Sequence, residues 1–293
     1  MSGKLKEVRT RITSVTSTQQ ITKAMKMVSA AKLRRAQDAI LQMRPYAIKM
    51  GSMLENIAAA TQGDVRIEYA DQREVKKALI VIITSDKGLC GAFNANVAKA
   101  ARRVIEERYS HLPATAVNLM FIGKKGYDVY KRSNYTLLTK YQNLFHNLNF
   151  EDVKAATEYI KTGFLHKEFD EVMVIYNKFK NAATQILETE QFLPIRKVDE
   201  GETQAKTDFI FDPDKHELIG ELVPRILNTT FYRFILDSHA SEHGARMTAM
   251  DKASDNANEL LKDLRIAYNR ARQAAITTEL TEIVSGAAAL QGN

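Results

Sequence analysis

The feature that most constrains this chain of 293 residues is an apolar repeat near its start. Taken every 3.5 residues from Leu5, twelve of the sixteen positions up to Ile57 are apolar. That period is typical of a coiled-coil seam and predicts a helix over residues 4–60, about 85 Å long at 1.5 Å per residue. A period below 3.6 predicts a left-handed supercoil, which Pro45 should bend or loosen locally.

A matching repeat lies near the other end of the chain. Seven apolar positions alternate at spacings of four and three: Ala253, Ala257, Leu260, Leu264, Ala267, Ala271 and Ala274. They predict a helix over Arg225–Leu290, about 100 Å long, preceded by another helix that starts near Asp212–Pro213. Because neither long helix can bury its stripe alone, we expect the two ends of the chain to pair as an antiparallel coiled coil.

The first repeat is interrupted by four consecutive polar positions. These are Gln19, Thr22, Lys26 and Ser29, and the apolar residues in this stretch are instead Ile21, Ala24, Met25 and Val28. One interpretation is a stutter at which the buried face of the helix rotates. The other is that this stretch contacts another subunit.

Residues 75–200 have the pattern of a compact α/β domain. Apolar runs predict strands at Ala78–Thr84, Val117–Ile122, Val172–Tyr176 and Thr184–Phe192, the last of them antiparallel. Helices are predicted from about Asn94 to Arg108, at Tyr127–Arg132 and at Glu151–Lys167. The alternation predicts a Rossmann-like layer. The predicted division is therefore 1–60 for the first coiled-coil helix, 75–200 for the domain, and 212–293 for the helix that pairs with 1–60.

The charge of the chain is concentrated at its start. Of a formal net charge of +7, residues 1–50 contribute eleven basic and two acidic side chains, and the rest of the chain is slightly negative. A basic arm of this kind indicates an acidic partner: nucleic acid, an anionic membrane or an acidic protein surface. The single cysteine, Cys90, fits a reducing compartment, and the N-terminus lacks the apolar core of a signal peptide.

The residues that could carry chemistry favour structural interpretations. The turn at Ser85–Asn94 lacks the dinucleotide glycine pattern, no Walker A pattern occurs, and Gly123-Lys124-Lys125 has no upstream glycine at the required spacing. Cys90 is expected to be a small structural residue, and His239 and His243 a surface pair. The acidic residues Asp251, Asp255, Glu259 and Asp263 suggest a solvated helix face. No catalytic residue, cofactor or metal is expected.

Three segments carry a resemblance to a known family. They read ITKAMKMVSAAKLRRAQ at 21–37, SDKGLCGAFN at 85–94, and SEHGARMTAMDKASDNANELLKDLRIAYNRARQAAITTELTEIVSGAAAL at 241–290. Together, and in this order, they resemble the gamma subunit of the F-type ATP synthase. Lys87 and Ala92 stand where that family often has Arg and Gly. The first motif begins close to Met1, which leaves no room for a transit peptide and favours a bacterial protein.

The resemblance implies a rotor subunit without a catalytic site. In the family, the terminal helices enter a ring of three alpha and three beta subunits, and the α/β domain binds the epsilon subunit and the ring of membrane c subunits. The chain would then be a peripheral protein on the cytoplasmic face of the bacterial inner membrane, and it would not span the membrane.

The resemblance also implies which residues contact the ring. The expected contacts are Met25, Lys26, Lys32, Arg34, Arg35, Arg272, Gln273, Thr277 and Glu279. The apolar tip, with Ile283, Val284 and Leu290, would sit in a bearing.

Two other classes of protein remain as alternatives. A basic coiled coil could bind nucleic acid, although the first fifty residues hold one aromatic residue, Tyr46, and no known nucleic-acid motif. An α/β enzyme that uses a nucleotide would need a phosphate-binding loop, which the sequence lacks.

Overall fold

The computed structural model describes residues 3–60, 67–195 and 215–291. Its helices are α1 (Gly3–Ala60), α2 (Phe93–Arg108), α3 (Lys124–Tyr130), α4 (Phe150–Leu165) and α5 (Lys215–Gln291). Its strands are β1 (Ala78–Ile83), β2 (Val117–Ile122), β3 (Thr136–Leu138), β4 (Glu171–Phe179) and β5 (Gln185–Leu193). The chain forms two compact units, Met1–Ser29 with Met247–Asn293, and Ala30–Arg246. We call them the coil unit and the sheet unit.

The sheet unit is built on five strands in the order β3-β2-β1-β4-β5. The first four are parallel, and β5 runs antiparallel to β4, as the sequence predicts. Central β1 is fully buried, because its continuous run of branched residues is covered on both faces. The strand β3 was missed, since three residues with partly exposed side chains give no periodic pattern.

Two apolar layers cover the sheet. One face packs against α4 and the first part of α5, with Phe164, Phe231 and Phe234 among its buried side chains. The other face packs against α2 and α3, with Val97, Phe121 and Tyr130 buried there. The sheet unit therefore has the two-sided core of a Rossmann-like layer.

A glycine is required where β2 turns into α3. Gly123 has φ of 90°, a conformation that side chains with a Cβ rarely adopt. A Cβ built there would lie 1.9 Å from the carbonyl oxygen of Thr84. The Gly123-Lys124-Lys125 sequence is therefore a tight turn between two elements, which agrees with its structural interpretation.

The coil unit pairs the start of α1 with the end of α5 in antiparallel orientation. Arg9 donates a hydrogen bond of 2.9 Å to the Tyr268 hydroxyl, and further along α1 Thr22 lies 2.7 Å from Ser254. Residue numbers thus rise along one helix while they fall along the other. The predicted pairing of the two ends is confirmed, and the left-handed supercoil remains a prediction.

The seam on α5 has the predicted period but a different phase. Buried or half-buried residues recur along it at Met250, Ser254, Ala257, Leu261, Leu264, Tyr268, Ala271 and Ala275. Ala257, Leu264 and Ala271 were predicted correctly, and Ala253, the first predicted position, is half-buried. Leu260 is 44% exposed, and Ala267 and Ala274 are also exposed, so their assignment to the seam was wrong. The alanine pattern was ambiguous because small residues occur on both sides of this helix.

The helix α5 is also longer than predicted. It runs unbroken through Pro224, whereas the sequence suggested that a separate helix ended before Arg225. Pro224 removes one hydrogen bond of the helix, but Val223 beside it is buried in the core of the sheet unit. Packing therefore outweighs the local preference. The predicted start near Asp212–Pro213 lies outside the described residues, and the division into 1–60, 75–200 and 212–293 remains a prediction.

Candidate subunit-contact surface

Three polar pairs continue the seam of the coil unit where its apolar residues stop. The Gln19 amide donates to the Asn258 side chain, Thr22 and Ser254 meet at 2.7 Å, and Lys26 contacts Asp251 at 2.5 Å. We call these six residues the polar seam. The buried face of α1 therefore does not rotate, and that interpretation of the interruption was wrong.

The apolar residues of the interrupted stretch face outward instead. Ile21 and Val28 are more than half exposed, Ala24 is exposed, and Met25 is half-buried beside the seam. These four residues form a strip on α1, which we call the outer strip. A solvent-exposed apolar strip on a helix that already has a partner is typical of a surface that contacts a further protein.

The contact residues predicted by resemblance differ in their surroundings. In the coil unit, the Lys26 side chain is 42% exposed and forms an ion pair with Asp251. In the sheet unit, Lys32, Arg34 and Arg35 are exposed on α1. Of the four basic residues predicted on α1, three thus have exposed side chains outside the seam, and one is part of the polar seam.

The predicted contacts on α5 lie along its exposed surface. Arg272, Gln273, Thr277 and Glu279 are all exposed. A groove of about 1040 Å³ runs along this part of the coil unit, and its lining includes Lys4, Ala271 and Glu279.

Beyond that groove the helix carries large apolar residues on its surface. Ile283 is 68% exposed and Val284 is 66% exposed. The side chain of Leu290 lies outside those that the structure describes. The end of α5 therefore presents apolar surface to solvent.

A buried polar cluster lies on α5 in the sheet unit. Arg246 and Glu242 form an ion pair of 2.6 Å in which both side chains are 9% exposed. The Nε2 atoms of His239 and His243 are 3.1 Å apart, and the His239 ring stacks on Phe145. The expectation that the two histidines form a surface pair was wrong, because other parts of the sheet unit cover this face of α5.

Burial controls the ionisation of this cluster. Desolvation, together with Lys32 and Arg246, lowers the pKa of His239 to about 4. Desolvation, with its histidine neighbour and the two cations, lowers the pKa of His243 to about 3. Desolvation also raises the pKa of Glu242, against the opposing effect of Arg246. Both imidazoles are therefore neutral at pH 7.

Arg246 also joins α5 to the loop after β1. Its guanidinium donates to the carbonyl oxygens of Lys87 at 2.9 Å and of Gly88 at 3.4 Å. Two of the segments that carry the family resemblance, 85–94 and 241–290, therefore meet at this residue. Sequence reasoning missed Arg246 and Glu242 because their i, i+4 spacing is common on solvated helices.

The same loop is held from inside by Ser85 and Asn94. The Ser85 backbone N–H donates to the Asn94 side chain, and the Ser85 hydroxyl donates to the carbonyl of Lys87. Cys90 is buried and accepts a hydrogen bond from Asn94, which confirms its structural interpretation. Leu89 at the tip has φ of 62° and a largely exposed side chain.

The acidic stripe on α5 is mostly solvated. Asp255, Glu259 and Asp263 are exposed, as predicted, while Asp251 is half-buried in the polar seam. Within 3–60, 67–195 and 215–291, no group of three or more histidine, cysteine or acidic residues could hold a metal ion. In the same ranges, no helix combines the length and the apolar content needed to cross a membrane.

Comparison with known proteins gives one consistent result. A family model described as "ATP synthase" matches residues 4–290. The ATP synthase gamma chain of Cytophaga hutchinsonii is 55% identical and covers 98% of each chain. That of Chlorobium phaeobacteroides is 48% identical, covering 98% of this chain and 99% of the other.

Solved structures agree in fold. A chain in the Tetrahymena thermophila mitochondrial ATP synthase structure of the central stalk and c-ring matches with a TM-score of 0.60 and 26% identity. That match covers 80% of this chain and 99% of the other. A chain of the Euglena gracilis mitochondrial enzyme matches with a TM-score of 0.67 over 99% of this chain and 95% of the other, at 19% identity. The protein belongs to the family of ATP synthase gamma chains, the central-stalk rotor subunits, which are non-catalytic components of the complex.

Proposed function

We propose that this rotor couples proton flow to ATP synthesis by turning its paired helices inside a ring of three alpha and three beta subunits. The beta sites hold the catalytic residues in this scheme, and the rotor changes their conformation as it turns. Its sheet unit binds the epsilon subunit and the c-ring, so the chain is peripheral to the cytoplasmic face of the bacterial inner membrane. A rotor can bias three equal sites only if it contacts their conformations differently.

The outer strip is the observation that best supports this proposal. Its apolar side chains are exposed although the helix already buries its other face against α5. No acidic residue occurs on α1 between Glu7 and Asp38, so every charged side chain that α1 itself places near the strip is basic. A surface that is apolar and basic fits acidic, partly apolar loops of a surrounding ring.

The two exposed arginines on α1 give a direct test. We expect Arg34→Glu with Arg35→Glu to lower proton-driven ATP synthesis several-fold without unfolding the protein, because both side chains are exposed. Synthesis is measured in membrane vesicles, and assembly is measured by co-purification of alpha and beta. Lys124→Glu with Lys131→Glu, in and just after α3, is the matched charge reversal on residues outside the proposed contacts with alpha and beta.

Two outcomes would contradict the proposal. Unchanged ATP synthesis in the Arg34/Arg35 variant would show that these two residues do not contribute to the proposed contact. Recovery of the wild-type chain with nucleic acid, and without alpha or beta chains, would favour the nucleic-acid alternative.

A further inference from the structure

The polar seam differs from the rest of the coil unit in how it would respond if α1 shifted along α5. A slip of one heptad moves one helix by about 10 Å along the other. Elsewhere in the seam such a slip replaces one apolar neighbour by another. From the Thr22–Ser254 pair, Ile12 is opposite Leu264, and the slip would place it opposite Ala271. Apolar layers alone therefore discriminate weakly between registers.

The same slip would break direct polar pairs of the polar seam. It would separate Lys26 from Asp251 and Gln19 from Asn258, and each of these pairs joins the two helices directly. Thr22 and Ser254 discriminate less, because each hydroxyl also has a carbonyl partner on its own helix. A polar residue in a coiled-coil seam is a known determinant of register, even where it lowers stability.

We infer that the polar seam sets the axial register of α1 against α5, and that Gln19, Asn258, Lys26 and Asp251 are positioning residues for rotary coupling. The register matters because the predicted ring contacts lie on both helices. Met25 is on α1, and Arg272 and Thr277 are on α5, so only the pairing of the two helices fixes the distance between these contacts. This functional part of the inference rests on the proposed contact with the ring.

Cross-linking measures the register without reference to activity. In the full chain assembled with its partner subunits, Ile12→Cys is combined either with Leu264→Cys, for the observed register, or with Ala271→Cys, for the slipped one. Each pair is made in three backgrounds. These are the wild-type polar seam, a variant with all four positioning residues changed to Leu, and a control with Val15→Ile and Leu261→Met.

The wild type and the control should cross-link only through the 264 position. The four-leucine variant should gain the 271 cross-link, at least tenfold above background, because its seam is apolar throughout. If the 271 cross-link stays at background in that variant, the register is fixed elsewhere, for example by the sheet unit, and the inference is wrong. Native Cys90 remains in place, and a variant with Cys at position 12 alone gives its background.

A charge exchange between Lys26 and Asp251 is a second test, which does not depend on assembly of the four-leucine variant. Lys26→Asp alone places two carboxylates together and should lower ATP synthesis per proton several-fold. Adding Asp251→Lys should restore synthesis to within about twofold of wild type, because the pair is re-formed in the same register. Failure of this rescue while the 264 cross-link is intact would show that Lys26 acts by contacting the ring and not through register. Restored synthesis in the charge-exchanged variant would exclude the alternative that Lys26 acts by contacting the ring.

Discussion

In the coil unit, α1 and α5 share one narrow seam that is open to solvent on both sides, whereas the sheet unit encloses its core between two helical layers. The Lys26–Asp251 pair shows the first condition, with both side chains more than 40% exposed. The Glu242–Arg246 pair shows the second, at 9% for both. The same kind of ion pair therefore has different energetic consequences in the two units, because water screens one pair and is excluded from the other.

The largest expected difference between the two units is the free energy of unfolding that is lost when a core side chain is truncated. Phe121→Ala removes a fully buried ring from the sheet unit, and we expect it to lower the free energy of unfolding by about 3–5 kcal/mol. Leu261→Ala in the coil unit should cost less, since the space it leaves opens to solvent. Hydrogen exchange of peptides from each unit measures the two losses separately. Equal losses would contradict the contrast between an enclosed core and an open seam.

The buried ion pair allows a sharper comparison with an exposed one. Arg246→Ala leaves the Glu242 carboxylate buried without its partner, and we expect a loss of about 3 kcal/mol. Arg225→Ala breaks a pair with Glu221 of the same i, i+4 spacing and the same 2.6 Å distance, but on side chains more than 60% exposed. That control should cost no more than about 0.5 kcal/mol.

Denaturant unfolding measures both arginine variants. The Arg246 variant should also speed proteolysis near Lys87, because the loop carbonyls lose their donor. A loss as small as that of the Arg225 variant would mean that water reaches the cluster.

Sequence patterns predicted the sheet unit well. Runs such as Val117–Ile122 are apolar enough to require burial on both faces, and their limits agree with the strand. The antiparallel pairing of the two ends also followed from the seams. What the sequence could not show is which polar residues are buried, because His243 and Arg246 have ordinary helical spacing. Their burial depends on the β1 loop and on Phe145, which are distant in sequence.

The histidines of the buried cluster should make the sheet unit sensitive to acid. Their pKa values fall from 6.5 to about 4 for His239 and about 3 for His243 on folding. Below pH 6.5 the unfolded chain therefore binds more protons, and the free energy of unfolding should fall, approaching about 1.4 kcal/mol per pH unit for each imidazole. Glu242, whose pKa is raised, acts in the opposite direction as the pH falls.

Unfolding measured between pH 7.5 and 5 tests this expectation. The variant with His239→Gln and His243→Gln should show a flatter dependence than the wild type, and Glu242→Gln a steeper one. Lys32 and Arg246 are the charged groups that lower the pKa values of both histidines in addition to burial. A wild-type stability that does not change between pH 6.5 and 5 would contradict the buried, neutral state of the pair.

The smallest effect is expected at the end of α5. Within the described part of the chain, no second helix covers Ile283 and Val284, so the comparison between the units no longer applies there. Ile283→Ser should leave the free energy of unfolding unchanged within about 0.5 kcal/mol, since its side chain is 68% exposed. Removing the residues after Ser285 should likewise permit assembly and retain part of the proton-driven ATP synthesis, because a bearing needs weak contact and no specific bond. Co-purification of alpha and beta with the truncated chain measures assembly. Complete loss of assembly would show that this end of the helix anchors the rotor, and that its exposed apolar residues bind tightly.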